Sequence, residues 1–126
     1  MNAMARLLLV EDNPDQLELR RLIFEHAGHR VWTASSPQAA LDAFGEARPS
    51  VVVTDLHLPR NEDGVSLIRA LRRSSSEVRI VVLSGAEEGL ETSAARALAD
   101  HYLRKPVCMQ ELLSLIRKLA CDSIGS

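Results

Sequence analysis

Aromatic residues are nearly missing from this chain: one Trp, one Tyr and two Phe, 3% in all. A surface that stacks on unpaired bases needs several of them, so no single-strand nucleic-acid platform is evident. No charge of one sign dominates. The net charge is −2 with both signs spread along the chain, which lacks the basic footprint of a direct nucleic-acid binder. Cysteine is sparse: Cys108 and Cys121 make no C-x-x-C pair. The helix predicted to carry them holds them about 20 Å apart, beyond the roughly 7 Å that a disulfide bridges. Two free thiols suit a reducing compartment. No run approaches the ~20 apolar residues that cross a bilayer. The start, Met1 to Arg6, lacks the order of a secretory signal. The expectation is a cytoplasmic protein with no membrane insertion. His26 and His29 stand three apart, but no Cys or acid cluster completes a zinc site with them.

What is present is the balance of one globular domain: 126 residues, 46% apolar and 25% charged. Strand and helix signals alternate five times. Leu7–Val10 is a short apolar run that suits a strand buried on both faces. Pro14 then suits the first turn of a helix, Leu19, Leu22, Ile23 and Ala27 follow at helical spacing, and Gly28 ends it. Arg30–Ala34 is a more polar strand, nearer an edge. Ser36-Pro37 caps a helix striped by Ala40, Ala43, Phe44 and Ala47. Val51–Asp55 is the third strand, and a helix with Leu67, Ile68 and Leu71 follows. Arg79–Ser84 is the fourth. A weaker helix carries Leu90, Ala94, Ala97 and Leu98, His101–Arg104 is the fifth strand, and a last helix is striped by Leu112, Leu113, Ile116, Leu119 and Ala120. Alternating units of this kind predict an α/β fold with a parallel sheet and helices on both faces.

Ligands of such folds gather outside the carboxyl ends of the strands. The residues arriving at that rim are Glu11-Asp12, Asp55, Ser84 and Lys105. Taken singly each has an ordinary reading: a charge pair before a helix, a turn acid, a loop serine, a surface lysine. Together they bring three acids, a hydroxyl and an amine to one place. Three carboxylates repel one another, and a hard divalent cation such as Mg²⁺ is the natural counter-ion. Counted formally, Mg²⁺ and Lys105 balance Glu11, Asp12 and Asp55 at zero. An acyl phosphate on Asp55 would raise the negative charge there to roughly two. Mg²⁺ and Lys105 could each take a phosphoryl oxygen, with Ser84 and backbone N–H groups for the third. Phosphoryl transfer asks for positioning and charge neutralisation, with a carboxylate as nucleophile.

Four segments in order resemble response-regulator receiver domains: Leu8-Leu9-Val10-Glu11-Asp12-Asn13, Val52 to Pro59 with Gly64 beyond, Val82-Leu83-Ser84-Gly85, and Tyr102-Leu103-Arg104-Lys105-Pro106. The resemblance covers Arg6 to about Ala120. It implies a five-stranded parallel sheet in flavodoxin-like order 2-1-3-4-5, and a phosphoacceptor that catalyses its own phosphorylation and dephosphorylation. Asp55 would accept the phosphoryl group from a sensor histidine kinase or phosphotransfer domain. Asp12, Asp55 and the backbone carbonyl of His57 would ligate Mg²⁺ directly, Glu11 mainly through water. Ser84 and Lys105 would hold phosphoryl oxygens, and Tyr102 would turn inward as Ser84 is drawn to the phosphate. The face of fourth helix, fifth strand and fifth helix would carry the signal, as in a homodimer. The peptide before Pro106 is often cis in this family.

Three departures bear on that face. The loop after Asp55 has one extra residue and is expected to bulge near Arg60-Asn61-Glu62. The stretch from Ser84 to Lys105 is one residue short, which points to a shortened fourth helix or following turn. Leu98 stands where a glycine is expected. The domain is expected over residues 5–121, with 1–4 a cloning remnant or disordered start, the last helix ending near Ala120 and 122–126 a disordered tail. Such a chain is either a single-domain regulator or a receiver cut from a longer protein such as a hybrid kinase. Three other readings fit less well. A haloacid-dehalogenase-like phosphatase would carry an acid where His57 stands. A flavodoxin-like carrier would need Ser, Thr and Gly where Glu11-Asp12-Asn13-Pro14 repels a phosphate. A docking receiver that works without phosphorylation would not need the full acid, hydroxyl and lysine set.

Overall fold

A computed structural model describes residues 4–85 and 87–125. Ten elements alternate in the expected order: β1 (Arg6–Val10), α1 (Pro14–His26), β2 (Arg30–Ala34), α2 (Pro37–Ala47), β3 (Val51–Asp55), α3 (Asn61–Ser74), β4 (Arg79–Ser84), α4 (Leu90–Leu98), β5 (His101–Arg104) and α5 (Met109–Gly125). All strand pairs are parallel, in the order β2-β1-β3-β4-β5. The more polar β2 is an edge strand. No helix among the described residues is long and apolar enough to cross a membrane.

Helices cover both faces of the sheet, so its central strands are buried beyond the opening Arg6 and Arg79 and read as apolar runs. Successive side chains still alternate between two cores. Leu7, Leu9, Val51, Val53, Val81 and Leu83 pack with Phe24 of α1 and Leu112, Ile116 and Leu119 of α5. Leu8, Val10, Val52, Ile80 and Val82 pack on the other face with α2, α3 and α4. Glu11 continues the alternation of Leu7 and Leu9, and Asp55 that of Val51 and Val53. Lys105 follows Leu103, which packs on that same face. Ser84 falls on the opposite face with Val82, and Tyr102 packs against that core. The period of two therefore sends the acids and the lysine toward α1 and α5, and Ser84 with Tyr102 toward α4.

Both ends of α1 rest on recognisable chemistry. The Asn13 side chain accepts the N–H groups of Asp15 and Gln16 at the start of α1, ahead of Pro14. Gly28 ends that helix at φ +98°, a conformation that side chains disfavour. His29 is then buried, and its Nδ1 accepts the Ala5 N–H at 3.0 Å. Burial lowers the His29 pKa, and Arg117 lowers it further. His29 is thus a structural acceptor.

Several expectations need correction. In α1 the inward residues are Arg20 and Phe24, while Leu19 and Leu22 are exposed. In α4 Thr92 and Ala95 are buried and Ala94 and Leu98 pack against the core as expected, but Leu90 is 87% exposed and Ala97 is exposed. Arg20 in α1 and Thr92 in α4 are polar residues in inward places that apolar spacing does not mark. Asn61 and Glu62 already belong to α3, so the extra residue makes no bulge there. The Asp63 carboxylate accepts the Arg60 N–H at 3.1 Å, and the Asp63 N–H donates to the Arg60 carbonyl at 3.1 Å. This closes the first turn of α3 early. The last helix runs to Gly125, past the expected end near Ala120 and into the expected tail, because no breaker precedes that glycine. Residues 1–3 and Ser126, named above as remnant and tail, lie outside the described residues.

Candidate phosphoacceptor site

The register of β1 on β3, with Val10 opposite Thr54, brings Glu11 and Asp55 to neighbouring strand ends. Carboxylate oxygens of Glu11, Asp12 and Asp55 lie within 4.8 Å of one another. Glu11 and Asp55 are buried and Asp12 is exposed, so the cluster opens to solvent on one side. Glu11 Oε1 accepts the Asn13 N–H at 3.0 Å, which fixes the carboxylate against the turn into α1.

Lys105 reaches the cluster from the end of β5. Its Nζ is 3.0 Å from Asp55 Oδ1. The peptide between Lys105 and Pro106 is cis, as the resemblance suggested, and so is that between Leu58 and Pro59. The Lys105 N–H donates to the Ser84 carbonyl at 2.9 Å, which ties the two strand ends together. Burial lowers the Lys105 pKa, the Glu11 carboxylate draws it back up, and the positive charge of Arg20 lowers it again.

Arg20 is the residue that the sequence pattern hid. It lies on α1 among the residues that face the sheet, and its side chain is only 10% exposed. Its Nη1 donates to Glu11 Oε2 at 2.8 Å and lies 3.5 Å from Asp55 Oδ1. The signal was available: Leu17, Arg20 and Phe24 share a helical face, and a buried acid pair needs a resident partner. The charge balance reached without Arg20 therefore changes. With a divalent ion bound, three carboxylates face Lys105, Arg20 and the metal, and one net positive charge remains.

Asp55 Oδ1 is fully buried and receives no aligned hydrogen bond, only the charge contacts to Lys105 and Arg20. A buried oxygen left in that way, beside two more hard carboxylates, fits a small oxygen-loving cation. The donor set suits Mg²⁺ better than a thiol- or imidazole-seeking metal. Ser84 is buried at the end of β4. His57 is exposed, between buried Leu56 and Leu58 in the loop after Asp55. Tyr102 is half-buried on β5, with the Arg96 guanidinium 4.6 Å from its ring centre.

Gly64 sets how closely α3 approaches this loop. A Cβ there would lie 1.9 Å from the carbonyl oxygen of Leu56, the residue after Asp55. Only glycine allows that contact.

The model of the response regulator receiver domain matches residues 7–117, and the chain belongs to that family. As a receiver it is a phosphoacceptor rather than a conventional enzyme. It is 36% identical over 115 residues to the response regulator MprA of Mycolicibacterium vanbaalenii, an alignment covering 90% of this chain and 49% of that protein. The chain thus spans about half the length of the curated relatives it matches. A response regulator receiver domain protein from Clostridium thermocellum superposes with a TM-score of 0.84 at 28% identity, covering 94% of this chain and 96% of that one. The Thermotoga maritima response regulator TrrA, solved in complex with Mg(2+)-BeF, superposes at 0.79 with 25% identity, covering 90% and 97%.

Proposed function

We propose that this domain takes a phosphoryl group from a phosphohistidine donor onto Asp55 in a Mg²⁺-dependent reaction. The observation that carries this reading is Asp55 itself. It is 2% exposed, lies within 4.8 Å of two further carboxylates, and has an oxygen held by charge alone beside Lys105. In the transfer the phosphorus–nitrogen bond of the donor breaks. The imidazole nitrogen leaves with the bonding pair, and an oxygen–phosphorus bond forms at an Asp55 oxygen. Mg²⁺, held by Glu11, Asp12, Asp55 and the His57 carbonyl, would supply neutralisation of phosphoryl charge. Lys105 moves its ammonium from the carboxylate to a phosphoryl oxygen, a shift that its flexible stem permits. Ser84 donates to another.

The donor is a sensor histidine kinase or a phosphotransfer domain, and the compartment is the cytoplasm. The response proposed is that Ser84 is drawn toward the phosphoryl group and Tyr102, on the same face of the sheet, follows into the space released. The α4-β5-α5 face then reads the state, toward a partner or a second copy. The similarity to the Thermotoga protein, solved in complex with Mg(2+)-BeF, supports this reading. Intact-mass measurement tests the acceptor. A small phosphodonor with Mg²⁺ should add one phosphoryl group to the native chain and none to Asp55→Asn. Equal labelling of the variant would sink the assignment.

A further inference from the structure

Arg20 is a buried cation inside a site whose proposed chemistry already has two others. We infer that Arg20 sets which state of the site is electrically balanced: it weakens Mg²⁺ binding before phosphorylation and favours the phosphorylated, Mg²⁺-bound form. This inference rests on the proposed Asp55–Mg²⁺ reading.

Arg20 Nη1 sits 2.8 Å from Glu11 and 3.5 Å from Asp55, so it occupies flanks of two of the three acids that would attract the metal. A guanidinium stays protonated at any physiological pH, so the cation is permanent. Its side chain is only 10% exposed, and solvent screens it little. Without a metal, Arg20 and Lys105 leave the three carboxylates one charge short of neutral. Adding Mg²⁺ overshoots to one positive charge. Replacing the Asp55 carboxylate by an acyl phosphate adds roughly one negative charge and brings the site to zero. Remove Arg20, and the resting Mg²⁺ form becomes the balanced one while the phosphorylated form turns negative. The residue thus moves the balance point from the resting site to the phosphorylated one.

The two affected equilibria shift in opposite directions, which a merely structural role would not produce. Calorimetric titration with MgCl₂ measures the first, on native chain, Arg20→Leu and Arg20→Lys. Titration with beryllofluoride at saturating Mg²⁺, as the phosphoryl mimic, measures the second. A unit charge about 5 Å from a divalent ion shifts its affinity roughly tenfold even at the dielectric of bulk water. Arg20→Leu should therefore bind Mg²⁺ about tenfold more tightly and beryllofluoride several-fold more weakly. Arg20→Lys, which keeps the charge, should stay nearer the native chain in both. Arg20→Met, with an unbranched chain for the same channel, serves if the leucine variant fails to fold. Weakening of both ligands, or no change in either, would overturn the role of Arg20 while leaving the Mg²⁺ site standing. A native chain and variants that all bind neither ligand would overturn the site reading and this inference together.

Discussion

Two arginines tie α4 to its neighbours, and they do so by different means. Arg72, on α3, bonds mainly to backbone. Its Nε and Nη2 donate to the Leu98 carbonyl at 3.3 and 2.9 Å, its Nη1 donates to the Val78 carbonyl at 2.7 Å, and Nη2 also reaches Asp100 Oδ2 at 2.9 Å. Arg96, on α4 itself, bonds to side chains alone among the described residues. It forms a fork on Glu88 at 2.7 and 2.7 Å and lies over the Tyr102 ring. Arg72 is 24% exposed, Arg96 44%. A tether to carbonyls fixes where the chain runs, because the acceptors cannot move without it. A tether between exposed side chains can re-pair with little loss. One end of α4 is therefore anchored, and the solvent face toward Tyr102 is held loosely. That is the arrangement a two-state helix needs.

The anchored end can be broken outright. Arg72→Ala removes the donors of three carbonyls, those of Leu98, Val78 and Ser76, and leaves the Asp100 carboxylate with less neutralising charge. We expect a loss of about 2–3 kcal/mol in chemical denaturation. A loss no larger than that of a surface substitution would show that α4 does not depend on this anchor.

Asp100 sharpens the same end with a smaller effect. Burial raises its pKa, but the Ile80 N–H, bonded at 2.7 Å, and the Arg72 guanidinium outweigh that and hold it below the usual value. A carboxyl whose folded pKa is depressed stabilises the fold above its unfolded pKa, near 3.9, and loses that contribution as pH falls through the lower folded value. Asp100→Asn keeps an acceptor for Ile80, so a loss of about 1 kcal/mol at pH 7 is expected. The gap between native and variant stability should close as the pH drops below about 4. A gap that stays constant with pH would assign the effect to packing instead of charge.

The same contrast explains what was legible in the sequence. All ten elements could be read in order, because continuous apolar runs for strands and Pro, Ser and Gly at helix ends are local signals. The acids, Ser84 and Lys105 were legible too, since strand ends place them on one rim whatever the side-chain detail. The inward face of α1 and the polar part of that of α4 were not. Arg20 and Thr92 hold inward places there, so a search for apolar spacing settled on exposed Leu19, Leu22 and Leu90. Long side chains that reach other elements, Arg20 to Glu11 or Arg72 to Leu98, leave no local mark in the chain. The rim was therefore visible, Lys105 included, and the Arg20 guanidinium beside it was not. α4 spans nine residues and ends at Leu98. The stabilising contact of Leu98, its carbonyl beneath Arg72, could not have been read from its identity.

The loose tether is the smallest target in stability and the most telling in response. Removing Arg96 by Arg96→Ala should leave the unfolding midpoint unchanged within error, since exposed ion pairs contribute little. Its expected effect is on the response to phosphorylation. In the native chain Arg96 is committed on one side to Glu88 and on the other to the Tyr102 ring. If Tyr102 moves inward when Ser84 is drawn to the phosphoryl group, that cation–π contact must be given up. The contact then opposes the switch by a modest amount. Arg96→Ala relieves the opposition, so less beryllofluoride should be needed, at fixed Mg²⁺, to bring the Tyr102 resonances halfway to their final position. The resonances of Asp100 and the end of α4 should move least in both proteins, because the Arg72 anchor is intact. Chemical-shift titration of native chain and variant reads both at once. A variant that needs more beryllofluoride would mean that Arg96 follows Tyr102 inward and stabilises the switched state. Equal movement at Leu98 and Tyr102 would mean that α4 shifts as a rigid body, and the contrast between its two tethers would carry no mechanical meaning.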